Sequence, residues 1–319
     1  MIAVAGGKGG VGKSTIAANL GLALGRLGQR VVIVDADLGA ANLHTMFGAL
    51  NPKATLADFL DHRIEQLDGT VIQVGPSVGL VPGTSRPGSA NLNNGQKLRF
   101  LKAMAKVDAD TVLVDVGAGT SFNVVDVVAA ADHKLFVLTP QLPSLHNAYA
   151  LLKACVHRVT RKLSSDETHQ SLIDSALGNE GKARTIPQLL AVLRPLDSVL
   201  ADRIVDTLLR FGVGLVGNQL GSDAEGAVFG RISSLVYDHL LVHAPVVGAF
   251  RRSSSLAGSL RAGVGTIVRH TDEGYRAFAD LARTIVDTDL QRLRGEERTA
   301  MQQTMPIWIQ RELQGDATK

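Results

Sequence analysis

Near the start of the chain, Gly6-Gly7-Lys8-Gly9-Gly10-Val11-Gly12-Lys13-Ser14-Thr15 has the make-up of a phosphate-binding loop. Gly7, Gly12, Lys13 and Ser14 fit G-x-x-x-x-G-K-[ST] without exception. Gly7, Gly9, Gly10, Val11 and Gly12 would supply a backbone free to wrap a phosphate chain, with successive N–H groups pointing inward. Lys13 is expected to reach the β- and γ-phosphates, the Ser14 hydroxyl to ligate Mg²⁺, and Thr15 to lie on the α-phosphate side. A helix opening near Lys13 would add its positive dipole end. Lys8, five residues earlier, is either an incidental surface lysine or a second cation for the nucleotide.

Three carboxylates complete the candidate chemistry. Asp115 ends an apolar run, where a buried carboxylate is costly without a partner. A Mg²⁺ ion, held directly or through water, would be that partner; a carboxylate that caps a turn is the alternative. Asp35 and Asp37 flank Ala36 at the end of another apolar run, and strand alternation sends their side chains the same way if the strand continues.

These residues need a scaffold, and the hydrophobic pattern supplies one. Apolar runs at 2–5, 30–34, 78–81, 111–116 and 135–139 read as strands, with candidate last strands at 212–216 and 245–247. Helical patterns lie between them at 14–27, 55–60, 96–106, 123–131 and 144–159, and a terminal amphipathic helix is expected at 271–289. The stretch 83–95, rich in Gly, Ser, Asn and Pro, reads as a loop. Continuous apolar strands alternating with helices of this length predict an α/β fold: one P-loop NTPase domain with a mostly parallel twisted sheet and helices on both faces. Its expected extent is 1–290, with a tail over 291–319. Within it, 161–184 is polar and expected to be exposed, and a helical stretch follows over 186–210.

Composition is consistent with this. The 319 residues are 45% hydrophobic but only 4% aromatic, so the core must be aliphatic and global disorder is excluded. Lys plus Arg exceed Asp plus Glu by 33 to 30, a surplus too small to imply nucleic acid by itself. One cysteine, Cys155, excludes an intramolecular disulfide and any Cys-x-x-Cys pair, and its setting in an apolar helix predicts simple packing. No stretch approaches about 18 consecutive apolar residues. Lys8 and Lys13 sit among glycines with no long apolar segment, so no signal peptide is read and a cytoplasmic protein is the expectation. His44, His133, His146 and His157 lack ligand spacing.

Lys8-Gly9-Gly10-Val11-Gly12-Lys13-Ser14 matches K-G-G-x-G-K-[ST] throughout, the deviant Walker A motif of the MinD/ParA family of ATPases, which the chain resembles over about 1–160 and 212–287. Val34-Asp35-Ala36-Asp37-Leu38-Gly39-Ala40-Ala41-Asn42 is similar to the family's switch I. Val112-Leu113-Val114-Asp115-Val116-Gly117-Ala118-Gly119 is similar to its Walker B strand and switch II, and Val216-Gly217-Asn218 to the strand end whose Asn contacts adenine. The form of switch I, Pro82-Gly83-Thr84-Ser85, the D-x-G-A-G segment and Ala148-Tyr149 most resemble the flagellar-number branch, FlhG/FleN. The sequence departs from the family at 161–211, an insertion, and at Phe250-Arg251-Arg252-Ser253, where I-P-x-D is usual.

The resemblance implies ATP and Mg²⁺ as ligands and ATP hydrolysis as the reaction. It assigns Asp35 to the Mg²⁺ shell or its support, Asp37 to positioning the attacking water, Gly117 to the switch beside the nucleotide, and Lys8 to a partner's nucleotide across an ATP-dependent homodimer. Asn42 either orients that water or the γ-phosphate, or is a turn residue. A MinD-like spatial regulator, placing flagella or the division site with partners that recruit it or stimulate hydrolysis, is the leading expectation. A ParA-type partition ATPase that binds DNA non-specifically is the alternative, for which Arg251, Arg252, Arg261 and Arg269 are the candidate surface. A metabolic ligase is disfavoured by Lys8 and an iron–sulfur carrier by the single cysteine. In the tail, Leu290, Leu293, Met301, Met305, Ile307, Trp308, Ile309 and Leu313 are apolar, but Pro306 and Glu296-Glu297 suit a membrane helix poorly. Peripheral contact with the inner membrane face, a partner, or the chain's own body are the alternatives.

Overall fold

A computed structural model of the chain describes residues 1–84, 92–178, 185–252 and 273–287. The apolar runs become strands β1 (Ile2–Ala5), β2 (Val31–Ala36), β3 (Ile72–Gly75), β4 (Val78–Val81), β5 (Thr111–Val116), β6 (His133–Leu138), β7 (Val213–Leu220) and β8 (Val246–Arg251). They form one sheet in the order β3-β4-β2-β5-β1-β6-β7-β8. Every neighbouring pair is parallel except β3 with β4. β1, β4 and β5 are buried at every position. Strands covered on both faces must be apolar throughout, which is why they stand out in the sequence.

Helices α1 (Lys13–Arg26), α2 (Leu43–Met46), α3 (Leu56–Leu60), α4 (Asn94–Met104), α5 (Phe122–Ala130) and α6 (Leu142–Arg161) connect the strands, and the described chain closes with a helix at Glu273–Asp287. One face of the sheet is covered by α1 and that last helix, through Ile16, Leu20, Leu24, Phe278 and Leu281. The other is covered by α4, α5 and α6 and the elements packed on them, through Phe100, Val128, Leu151 and Val156. Asp126 of α5 ties this second layer together. It accepts from Arg158 Nε of α6 at 2.6 Å and pairs with Lys97 of α4. Burial alone would raise its pKa, but these cations hold it below the usual carboxylate range.

The expectation for 161–184 needs correcting. It contains α7 (Glu167–Leu177), whose first turn is capped by the Asp166 carboxylate accepting from the His169 N–H at 2.9 Å. Its polar residues face outward while Ile173, Ala176 and Leu177 join the core; an amphipathic helix reads as polar when averaged along the chain. The helical stretch over 186–210 is two helices, α8 (Ile186–Leu193) and α9 (Ser198–Leu209). Pro195 breaks it, and Asp197 caps α9 by accepting from Leu200 N–H at 2.8 Å. α7, α8 and α9 therefore add a helical layer to the existing core. The short α2, the half-exposed edge strand β3, and α10 (Asp223–Leu240), whose Gly226, Gly230 and Ser233-Ser234 weaken its pattern, have no counterpart in the sequence reading. Among the described residues, no helix is long and apolar enough to cross a membrane. The tail, Ser85, Arg261 and Arg269 lie outside the described residues.

Candidate functional site

The chain leaves β1 at Ala5, turns through the glycine-rich segment and enters α1 at Lys13. β1 runs through α1 to β2 across one face of the sheet, and its neighbour β5 runs through α5 to β6 across the other, so the loop stands at a switch point above the carboxyl ends of the strands, where α/β sheets bind ligands. Gly10 and Gly12 have φ of 79° and 97°, a left-handed backbone that side chains disfavour. Gly7 is needed for a different reason. A Cβ there would lie 2.0 Å from the Asn147 backbone at the start of α6.

The loop is braced from β7. Asn218 Nδ2 donates to the Val11 carbonyl at 2.8 Å, and Gln219 Nε2 donates to the Gly10 carbonyl at 2.9 Å. Asn218, expected from the resemblance at adenine, has its amide on the loop. Gln219 has a left-handed φ of 59° and escaped the sequence reading, because its bond spans 209 residues of chain.

The two lysines of the loop differ in setting. Lys13 is buried, whereas Lys8, Gly9 and Gly10 are exposed, and nothing lies within 4 Å of a Cβ built on Gly9 or Gly10. One cation is thus inside the site and the other on its open side. Ser14 and Thr15 are half-buried, and the Thr15 carbonyl accepts from Asn19 Nδ2 at 2.9 Å.

Beside Lys13 stand two buried carboxylates. Asp35 and Asp115 face each other across the β2–β5 ladder, and each is 1% exposed. Asp35 accepts from the backbone N–H of Leu43 at 3.1 Å and of Asp37 at 3.3 Å. Burial nevertheless pushes its pKa up to about 6. Asp115 accepts from the Ser14 hydroxyl. Its Oδ1 is buried without a hydrogen-bond partner. Burial raises Asp115 to about 7, Ser14 and Lys13 pull it down, and Asp35 and Asp37 push it up. An unspent carboxylate oxygen next to a serine hydroxyl supplies the oxygen donors a hard divalent cation takes, so these residues fit Mg²⁺. No group of three or more His, Cys, Asp or Glu that could hold a metal occurs among the described residues.

Asp37 is half-buried, and its carboxylate borders Gly117, where a Cβ would lie 3.2 Å from Oδ1. The site therefore brings Asp37 and Gly117 together at the ends of β2 and β5. Gly83, after β4, packs on Asp35: a Cβ there would meet its Cγ at 2.8 Å. Asn42 is exposed, with Nδ2 donating to the Ala40 carbonyl at 2.7 Å, a turn contact.

A pH prediction follows from Asp115. With an ordinary pKa of 3.8 when unfolded and about 7 when folded, it is protonated more readily in the native state, so its burial is tolerated at low pH and increasingly destabilises the metal-free protein as pH rises from about 4 through 7. In metal-free, nucleotide-free protein, Asp115→Asn is expected to be more stable than the parent at pH 8 by about 1 kcal/mol or more, roughly 2–4 °C in Tm, and to lose that advantage at pH 5. Thermal melts of both proteins across this range check it; a constant difference contradicts it.

Comparison with known proteins places these features in context. The family model for the CobQ/CobB/MinD/ParA nucleotide binding domain matches residues 2–294. The chain is 43% identical over 157 residues to the antiactivator FleN of Pseudomonas aeruginosa, covering 48% of this chain and 55% of FleN. It is 33% identical over 158 residues to the flagellum site-determining protein YlxH of Helicobacter pylori, covering 48% and 52%. These matches span about half the length of those relatives. Among solved structures, MinD in the MinC:MinD cell division complex of Aquifex aeolicus aligns with a TM-score of 0.60 at 19% identity, over 90% of this chain and 96% of that one. MinD of Pyrococcus horikoshii, complexed with Mg-ADP, aligns at 0.59 and 18%, over 92% and 97%. At such identity these two establish the shared fold.

Proposed function

The chain belongs to the CobQ/CobB/MinD/ParA nucleotide-binding family, and from that premise we propose that it is a Mg²⁺-dependent ATPase that dimerises when loaded with ATP and acts as a spatial regulator of the FleN/MinD kind. The observation that carries the proposal is the division of the two loop lysines, Lys13 inside the site and Lys8 on its open side. A lysine on that open side could reach the nucleotide of a second copy of the chain.

Lys13 and the loop N–H groups would hold the β- and γ-phosphates, and Ser14, Asp115 and, in support, Asp35 would hold Mg²⁺. A Mg²⁺ ion held there would supply positive charge against the charge that develops on the phosphate oxygens. Asp37, half-buried and less enclosed than Asp35, would orient the water that attacks the γ-phosphate in line. Lys8 from the second copy would neutralise the transition state, so turnover depends on assembly. ATP then builds the dimer, and hydrolysis dissolves it. Partners would read the dimer through its exposed helices; YlxH, named as a flagellum site-determining protein, and FleN, named as an antiactivator, support a regulatory role of that kind.

The DNA-binding alternative draws less support. Arg251 is paired with Asp223 at 2.6 Å, and Arg252 Nε donates to the Gln219 carbonyl at 3.1 Å, so both side chains are already engaged. Salt-sensitive, ATP-dependent retention on DNA would favour it.

Lys8→Ala tests the proposal. The variant should bind ATP with near-parental affinity, since its own site keeps Lys13, while turnover falls by about 100-fold or more. Fluorescent-nucleotide titration beside a phosphate-release assay measures both. Parental turnover in the variant would leave Lys8 an incidental surface lysine.

A further inference from the structure

Away from the nucleotide site, a cavity of about 610 Å³ runs along α4. Its walls are α4 on one side and the segment 65–68 with Phe59 of α3 on the other. That volume is within the range of small-molecule sites. Arg99 forms its charged floor. The guanidinium lies on the Phe59 ring, 4.3 Å from the centroid, and Nη2 donates to the carbonyls of Ile64 and Glu65, each at 3.2 Å. Nη1 is buried and has no hydrogen-bond partner. Stacked on Phe59 and anchored by two carbonyls, the guanidinium is a fixed positive charge in the cavity wall.

The rest of the lining extends this positive surface. Lys102 follows one turn along α4, and Lys106 lies in the turn that ends the helix, where its N–H bonds the Ala103 carbonyl at 2.9 Å. No ion pair involves either lysine among the described residues. Leu98, 53% exposed, contributes apolar surface beside Ala103 and Leu67. Glu65 and Asp68 on the facing wall are outnumbered by Arg99, Lys102 and Lys106. Arg99 and Lys106 are two helical turns apart, about 10 Å at 1.5 Å per residue.

We propose that this cavity is a second ligand site, separate from the P-loop, which takes an elongated organic dianion: one carboxylate or phosphate on Arg99, an apolar body along Leu98 and Ala103, and the second anionic group at Lys102 and Lys106. The inference does not depend on the ATPase reading, because none of its residues belongs to the nucleotide site.

The test uses the full chain saturated with Mg-ADP, so that the P-loop is occupied, and calorimetric titration with biphenyl carrying a carboxylate at each end. Biphenyl monocarboxylate is the control, and the corresponding phosphate esters show which oxyanion is preferred. Saturable binding of one dianion per chain is expected with a Kd below about 1 mM, and about tenfold weaker binding of the monoanion. Replacing both exposed lysines, Lys102→Ala with Lys106→Ala, should reduce the dianion to the level of the monoanion, and Arg99→Lys, which keeps charge but loses the fork, should weaken both anions about tenfold. If Arg99→Lys does not fold, the double lysine variant decides. Absence of saturable binding by either dianion, or an affinity unchanged in the double variant, overturns the proposal.

Discussion

Lys13→Ala is expected to abolish ATP binding. Lys13 is the buried cation of the loop, the first residue of α1, and it pulls on the Asp115 carboxylate behind it. Without it, a triphosphate would be placed against Asp35 and Asp115 with its main counter-charge gone, and the two carboxylates would repel it. A buried, charge-assisted contact of this kind is worth several kcal/mol, so the affinity should fall by at least about 100-fold. The loss should be as large for ADP, since in the proposed site Lys13 would hold the β-phosphate as well. Equilibrium titration with a fluorescent ATP analogue reads the effect, with circular dichroism to establish that the variant is folded. Tight binding by folded Lys13→Ala would contradict the assignment of the loop.

Asp37→Ala should behave differently: it should bind ATP and hydrolyse it about 100-fold more slowly or worse, the usual cost of one lost positioning group. Asp35 is enclosed and holds the Leu43 and Asp37 backbone through its oxygens, so it is committed to building the site. Asp37 is less enclosed, and its carboxylate lies beside Gly117 at the end of β5. Single-turnover phosphate release separates the chemical step from binding. Turnover at the parental rate would remove Asp37 from the mechanism, and failure to bind Mg-ATP would move it into the metal shell and reverse its division of labour with Asp35.

The parts of the site that were legible in the sequence are those whose chemistry demands contiguous residues. Gly7 to Thr15 must be adjacent because one loop has to wrap one phosphate chain, and the apolar runs ending at Asp35 and Asp115 are visible because strands buried on both faces tolerate little else. The pairing of those two aspartates is a sheet-register fact, which spacing along the chain does not reveal. Nor does spacing reveal the brace from β7: Asn218 and Gln219 reach the loop from more than 200 residues away, through ordinary amides. α7 and α10 were obscured because each buries one narrow stripe beneath a polar exterior. The α4 cavity left no motif at all, since Arg99, Lys102 and Lys106 at helical spacing look like a solvated face until Phe59 and the 65–68 segment close over them.

The central claim is that ATP, and only ATP, assembles two copies of this chain. Asp37→Ala protein, slow to hydrolyse, makes the measurement clean: sedimentation velocity without nucleotide, with Mg-ADP and with Mg-ATP. The account predicts a monomer in the first two conditions and a dimer in the third, with the dimer lost when Lys8→Ala is added to the same chain. The same sedimentation coefficient in all three conditions, or a dimer of equal strength without nucleotide, would contradict it.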